Sequence, residues 1–239
     1  MKSPLEWGEW KSFDEVASTQ TLATDALQNN EKVGVVFAYH QTLGRGRFNR
    51  HWDSTKGESL TMSLVFGGYP NHPAPHLIGM TVACAAASVI LCELQWPNDL
   101  VFGNLKVGGI LTELVLDNEG QRIPIVGVGI NVNQQAFPDE IRERATSLRL
   151  YRGGSYVCEE IGRDILKRLS GMPEPSSWDD IRPIWMLFDH TPGKSYKMPN
   201  DQVATALGIG PQGELIGSIN GETTSVLAAD AIFGSNLAS

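Results

Sequence analysis

The sequence predicts an α+β protein, a sheet with packed helices followed by a small C-terminal β-barrel. Three observations carry that class. Leu100-Val101-Phe102 and the run from Leu105 to Glu113 are separated by Gly103-Asn104, the signature of a two-residue antiparallel hairpin. Apolar helical stripes, clearest in Val157, Ile161, Ile165 and Leu169, alternate with strand-like runs. From His190 the texture changes to short alternating strands and frequent turns that end near Phe233, which suggests a barrel.

The elements follow in order. Trp10 to Glu15 reads as a short edge strand, and Ser18 or Thr19 caps a helix to about Asn30 with Leu22, Ala26 and Leu27 as its stripe. Lys32 to Tyr39 is β-branched and aromatic, a buried strand. In Ser59 to Phe66, Leu60, Met62, Leu64 and Phe66 alternate with Ser59, Thr61 and Ser63, as in a half-covered sheet. Leu77 to Ile90 is a small-residue helix packed closely on the sheet. Around the Gly103-Asn104 turn, Phe102 is expected opposite Leu105, Val101 opposite Lys106, and Asp99 opposite Gly108. Asp99 and Lys106 then share a face. Ile123 to Val132 is a buried strand with Gly127, Gly129 and Asn131 on one face. Phe137 to Leu148, Ser155 to Leu169 and Trp178 to Phe188 read as helices. Gly208-Ile209-Gly210-Pro211-Gln212-Gly213 matches the dinucleotide pattern G-x-G-x-x-G. Its internal proline and the strand-like Glu214-Leu215-Ile216-Gly217 after it make it a hairpin turn instead.

Composition narrows the function classes. A chain of 239 residues with 41% hydrophobic and 19% charged residues has room for a large unit and a small one. The net charge of −8 excludes general electrostatic attraction to nucleic acid or an anionic membrane surface. Met1 to Trp10 holds no secretory apolar stretch, and the longest apolar run, Met80 to Leu91, is too short to span a bilayer. Cys84, Cys92 and Cys158 lack metal spacing and read as reduced, buried, cytoplasmic thiols. Prolines 73 and 75 exclude a helical metal pair from His72 and His76.

Against this acidic background stands Gly44-Arg45-Gly46-Arg47-Phe48-Asn49-Arg50-His51-Trp52. Glycine lets the backbone approach a ligand, and arginine grips carboxylate or phosphate with a planar fork. The stretch suits a phosphate or an acyl phosphate.

These residues, with the Trp-Pro-Asn-Asp segment and Gly-Gly-Ile-Leu-x-Glu strand of Trp96 to Glu113, the Gly-Ile-Asn-x-Asn strand of Gly129 to Asn133, and Ser18-Thr19, resemble the biotin protein ligases. All four motifs occur in family order, and the likeness runs from about residue 12 to 235. The resemblance implies a mixed, mainly antiparallel sheet in a catalytic unit over 1–189, and an SH3-like barrel over 190–239. It implies activation of biotin by ATP with Mg²⁺ to biotinyl-5'-AMP, then transfer to a lysine of a biotin carboxyl carrier domain. Ser18, Thr19 and Gln41 would contact biotin's ureido ring, with Gly44, Arg45, Gly46, Gly108 and Gly109 also on the biotin side. Arg47 and Arg50 would hold phosphate, and Trp52 would wall the adenylate. Asn98, Asp99 and Asn131 would lie near nucleotide and Mg²⁺, and Lys106 at the reacting carboxylate and α-phosphate, with Lys106 and Arg47 the catalytic pair. The resemblance also admits a homodimer.

The chain departs from the family pattern at Asn49, where glycine is usual, at Gln95 for lysine, and at Gln20 for asparagine. Asparagine tolerates the left-handed conformation, so Asn49 is expected to carry the turn. Ser18 comes too early for the winged helix of the family's DNA-binding members. A lipoate or octanoyl transferase of the same superfamily and a non-catalytic biotin-binding protein are the alternatives. The arginine loop weighs against the first and Lys106 against the second.

Overall fold

The computed structural model describes residues 1–49, 51–227 and 232–233. Its order begins with α1 (Pro4–Trp7), β1 (Glu9–Phe13), α2 (Thr19–Gln28), β2 (Val33–Ala38), β3 (Ser59–Val65) and α3 (Pro75–Ile90). Then come β4 (Glu93–Gln95), β5 (Asp99–Phe102), β6 (Leu105–Leu116), β7 (Arg122–Asn131), α4 (Leu148–Arg152), α5 (Cys158–Ser170) and α6 (Trp178–Trp185). Strands β8 (Ser195–Lys197), β9 (Val203–Ile209), β10 (Leu215–Ile219), β11 (Glu222–Val226) and β12 (Ile232–Phe233) follow.

The first sheet has the order β1-β2-β3-β7-β6-β5-β4. Only β1 and β2 run parallel, and every other pair is antiparallel. Alternation along the strands gives two faces. Val35, Phe37, Leu60, Met62, Leu64, Val126, Val128 and Ile130 form one, joined in a single core with the inward residues of α3, α5 and α6. Gly79 lets α3 come close to β6, because a Cβ there would lie 2.0 Å from Thr112 Oγ1. The other face packs Val36, Val65, Ile123 and Ile125 against Ala23, Ala26 and Leu27 of α2. The half-covered sheet expected from β3 is therefore corrected, since all seven of its residues are buried. Its polar side chains bond within the protein, Ser59 with Gln134, Thr61 with the Ala38 carbonyl and Ser63 with Gln20 of α2.

Four other expectations change. The 103–104 turn forms, with Gly103 at φ 59°, and Val101 faces Lys106 as expected. A bulge between Leu100 and Val101 then shifts the register, so Asp99 faces Gly109 and not Gly108. The helix expected over 137–148 does not form, and only Leu148 of that stretch is helical, as the first residue of α4. Turns span 139–144, and the chain then bridges in parallel to Lys106, with Lys106 N–H donating to Arg144 C=O (2.8 Å) and Thr146 N–H to Lys106 C=O (2.9 Å). Those strand-type bonds compete with helix formation. Ser147 accepts from Leu150 N–H and starts the short α4. Helix α5 begins only at Cys158, with exposed Val157 outside its stripe, and Cys158, Gly162, Ile165, Leu166 and Leu169 are its buried residues. Helix α6 ends at Trp185, earlier than the expected Phe188.

The second sheet, β11-β10-β9-β8-β12, is antiparallel throughout. The G-x-G-x-x-G stretch is its β9–β10 turn, closed by Gly210 N–H to Glu214 C=O at 2.9 Å. Its attachment to the first sheet centres on Trp96. Thr191 Oγ1 accepts from Trp96 N–H (3.0 Å), Gly213 C=O accepts from its indole N–H (2.9 Å), and Tyr196 O–H donates to its carbonyl (2.7 Å). Burial pushes the Tyr196 phenol above its usual range and keeps it a donor. Tyr196→Phe leaves a buried acceptor short of this bond and is expected to cost about 1–3 kcal/mol. Urea denaturation checks this, and an unchanged midpoint would show that the carbonyl had found another donor.

All three cysteines are buried and free. Burial raises Cys84 and Cys92 to about 12 and Cys158 to about 11, which leaves them protonated and unreactive at neutral pH. No helix among the described residues is long and apolar enough to cross a membrane.

Candidate active site

The α2 face of the sheet continues past the helix into a cavity of about 630 Å³. It is reached by Ser63 of β3, by Gly127, Gly129 and Asn131 of β7, and by Gly109 of β6, all brought to one face by strand alternation. Its inner end is neutral and polar. Gln41 Oε1 accepts from Thr19 N–H (2.7 Å) and lies 3.0 Å from Thr19 Oγ1, which is 2.9 Å from Ser63 Oγ. Ser54 Oγ accepts from Gln41 N–H (2.9 Å) and donates to Gln41 C=O (3.1 Å), which fixes that backbone. Ser18 is at the N-cap of α2 without a capping bond from its side chain, and it lines the cavity.

The outer end is cationic. Lys106 Nζ lies 2.6 Å from Asp99 Oδ1, so the bulge shifts the register without separating the pair. Arg47 Nη1 donates to Asn98 Oδ1 (3.3 Å), and Asn98 Nδ2 donates to Ile110 C=O (2.7 Å). Arg45 Nη2 stands 3.5 Å from Glu113 Oε2. The arginine loop is pinched at its base by Trp52 N–H to Gly44 C=O (2.9 Å) and an Arg45–His51 bridge. A Cβ on Gly44 would lie 2.3 Å from Trp52 O, so only glycine closes this base. The left-handed residue in the loop is Phe48 (φ 56°, ψ 34°), where the sequence suggested Asn49. The 3₁₀ turn of 47–49 thus strains a bulky residue, and Phe48 is half exposed, with its ring beside the Arg47 guanidinium.

Trp52 forms a wall. A Cβ on Gly129 would lie 2.6 Å from its Cε2, so the bare glycine lets the indole settle against β7. Its N–H is buried with no hydrogen-bond partner among the described residues. Asn131 Nδ2 donates to Thr146 C=O (3.0 Å), and its Oδ1 accepts from Gln134 (3.3 Å).

Of the residues singled out from sequence, Ser18, Thr19, Gln41, Arg45, Gly46, Arg47, Trp52, Asn98, Asp99, Lys106, Gly109 and Asn131 line this one cavity. Gly44 shapes the loop base behind it. Gly108 faces the core, where a Cβ would meet Leu100 and Ile130, so of the glycine pair it is Gly109 that meets the cavity. Arg50 lies outside the described residues. Gln20 and Gln95, noted from sequence as departures from the family pattern, also line the cavity, and Ser63, Phe137 and Arg144 line it without having been singled out. Ser63 was legible, since it shares a face with Gly127 by strand pairing. Phe137 and Arg144 were hidden by the expected helix. Among the described residues no cluster of three His, Cys, Asp or Glu could hold a metal ion.

The profile described as the Biotin/lipoate A/B protein ligase family matches residues 12–131. A bifunctional ligase/repressor BirA of Bacillus subtilis is 32% identical over 238 residues, covering 92% of this chain and 73% of that protein. The bifunctional ligase/repressor BirA of Bacillus spizizenii is 40% identical over 144 residues; that match covers 56% of this chain and 44% of the relative's length. Among solved structures, the biotin protein ligase from Aquifex aeolicus in complex with biotin and ATP superposes with a TM-score of 0.74. It is 27% identical, over 94% of this chain and 97% of that one.

Proposed function

The chain belongs to the biotin/lipoate A/B protein ligase family, and from that membership we propose that it is an ATP-dependent biotin protein ligase. It activates biotin as biotinyl-5'-AMP, releases pyrophosphate, and transfers biotin to a lysine of a carrier domain. The observation that carries this reading is the joining of two unlike ends in one cavity, neutral hydroxyls and amides within and paired cations without.

The inner end suits the ureido ring. Thr19, Ser63 and Gln41 are nearly or fully buried, and a urea supplies both donors and an acceptor for them. An alkyl chain or a dithiolane would leave their remaining donor and acceptor capacity unmet, a loss that discriminates against lipoate and octanoate. Ser18, Thr19 and Gln41 hold the ring. Gly46 and Gly109 admit the valeryl chain and carboxylate, with Arg45 beside them. The nucleotide lies against Trp52 and Asn131, with Asn98, Asp99 and Arg47 toward its phosphates. Mg²⁺ bound with the triphosphate would neutralise phosphate charge, and Asp99 and Asn131, which line the cavity, are the residues that would meet it. Residues 1–189 form the catalytic unit, and strands β8 to β12 belong to a second, SH3-like barrel unit that braces Trp96. The reaction takes place in the cytoplasm.

The chemistry requires no protein nucleophile. Biotin's carboxylate oxygen attacks the α-phosphorus, the P–O bond to pyrophosphate breaks, and the carrier lysine later attacks the acyl carbon with AMP leaving. Two anions must meet, so positioning and charge stabilisation supply the catalysis. Incubated with biotin and Mg·ATP, the protein should label a biotin carrier domain on one lysine. Turnover with lipoate or octanoate and none with biotin would sink the assignment.

A further inference from the structure

We propose that Gln20 is a positioning residue that fixes the direction of the hydroxyl hydrogen bonds at the cavity's neutral end, so that Thr19 presents lone pairs to a ligand N–H. The assignment rests on the biotin reading and deepens it. Gln20 stands where the resembling family has asparagine, and its side chain makes two contacts. Nε2 donates to the Ile125 carbonyl at 3.2 Å, and Oε1 lies 2.9 Å from Ser63 Oγ. A carbonyl oxygen only accepts, so the Ile125 contact orients the amide and turns Oε1 toward Ser63. That oxygen also only accepts, so the Ser63 hydroxyl donates to it.

Proton counting fixes the rest. Ser63 has one hydroxyl hydrogen and has given it to Gln20. It therefore has no hydrogen left to donate across its 2.9 Å contact with Thr19 Oγ1. Gln41 Oε1, which takes Thr19 backbone N–H at 2.7 Å, is a second acceptor within reach of the Thr19 hydroxyl hydrogen, at 3.0 Å. Whichever of these two acceptors takes Thr19's hydrogen, the chain runs from Ser63 to Gln20 and never from Ser63 to Thr19. Thr19 Oγ1 then faces the cavity as an acceptor, the match for a urea N–H. Thr19 and Gln20 are 3% exposed and Ser63 is fully buried, so water cannot reverse the chain. Gly127 makes room for it, since a Cβ there would lie 3.1 Å from Gln20 Oε1. Without Gln20, Ser63 can donate back to Thr19, and the direction is lost.

The test is pyrophosphate exchange with KM for biotin and for ATP measured separately in wild type, Gln20→Leu, Ser63→Ala and the double variant. Each single variant should raise the biotin KM about tenfold, as expected for one mispaired buried hydrogen bond, and leave the ATP KM unchanged. The double variant should stay near tenfold because both changes act through the one Thr19 hydroxyl. A double variant near hundredfold, or equal shifts in both KM values, would make Gln20 a packing residue and overturn the proposal. If Gln20→Leu fails to fold, Ser63→Ala decides alone, and an unchanged biotin KM overturns it. Absence of biotin-dependent exchange in the wild type overturns the functional reading and this assignment with it, and is seen before any variant is compared.

Discussion

Lys106→Ala is expected to slow adenylation by about 10²–10³-fold, the usual loss when one preorganised electrostatic group is removed. Two effects combine. The ammonium that meets charge developing between carboxylate and α-phosphate is gone. Asp99, whose carboxylate it pairs at 2.6 Å, is left as an uncompensated anion facing an anionic substrate. Biotin affinity should weaken much less, because its ring sits at the neutral end and the lysine acts where charge accumulates. The fold should survive, since the side chain is 40% exposed and packs little. Single-turnover adenylation set beside equilibrium biotin binding separates the two effects. A large loss of binding with a nearly normal chemical step would make Lys106 a ground-state contact.

Arg47→Gly is expected to shorten the lifetime of the bound intermediate by about ten- to a hundredfold, from charge-assisted bonds worth roughly 1.5–3 kcal/mol each. Arg47 reaches Asn98, which is tied to the Ile110 carbonyl on β6, so the arginine couples its loop to the strand that bears Lys106. Glycine removes that tie and also frees the turn in which Phe48 holds φ 56°. Released adenylate should then label lysines on unrelated proteins. An intermediate lifetime equal to that of the wild type would show that Arg47 does not retain it.

Much of this site was legible in the sequence because it is built from local patterns. The Gly103-Asn104 hairpin brings Lys106 to Asp99, and strand alternation alone puts Gly127, Gly129 and Asn131 on one face. Glycine positions were legible in kind but not in partner. Gly129 admits Trp52, a residue 77 positions earlier in the chain, and nothing local announces that contact. The bulge at Leu100 was not legible, because inserting one residue changes which glycine faces Asp99 without altering the apolar pattern. Residues 137–148 failed for a similar reason. Their composition permits a helix, but the free edge of Lys106 captures their backbone, a tertiary bond that outweighs propensity. The attachment of the second sheet through Trp96 was likewise invisible, since its three partners, Thr191, Tyr196 and Gly213, are 95 to 117 positions away.

A biotin protein ligase must join a biotin carboxylate to the α-phosphate of ATP in this cavity. The most direct measurement is exchange of labelled pyrophosphate into ATP by the purified protein with Mg²⁺, with and without biotin, and with no carrier present. Exchange should depend on biotin and fall by about 10²–10³-fold in Lys106→Ala. Exchange that proceeds equally without biotin, or none at all with it, would contradict the claim.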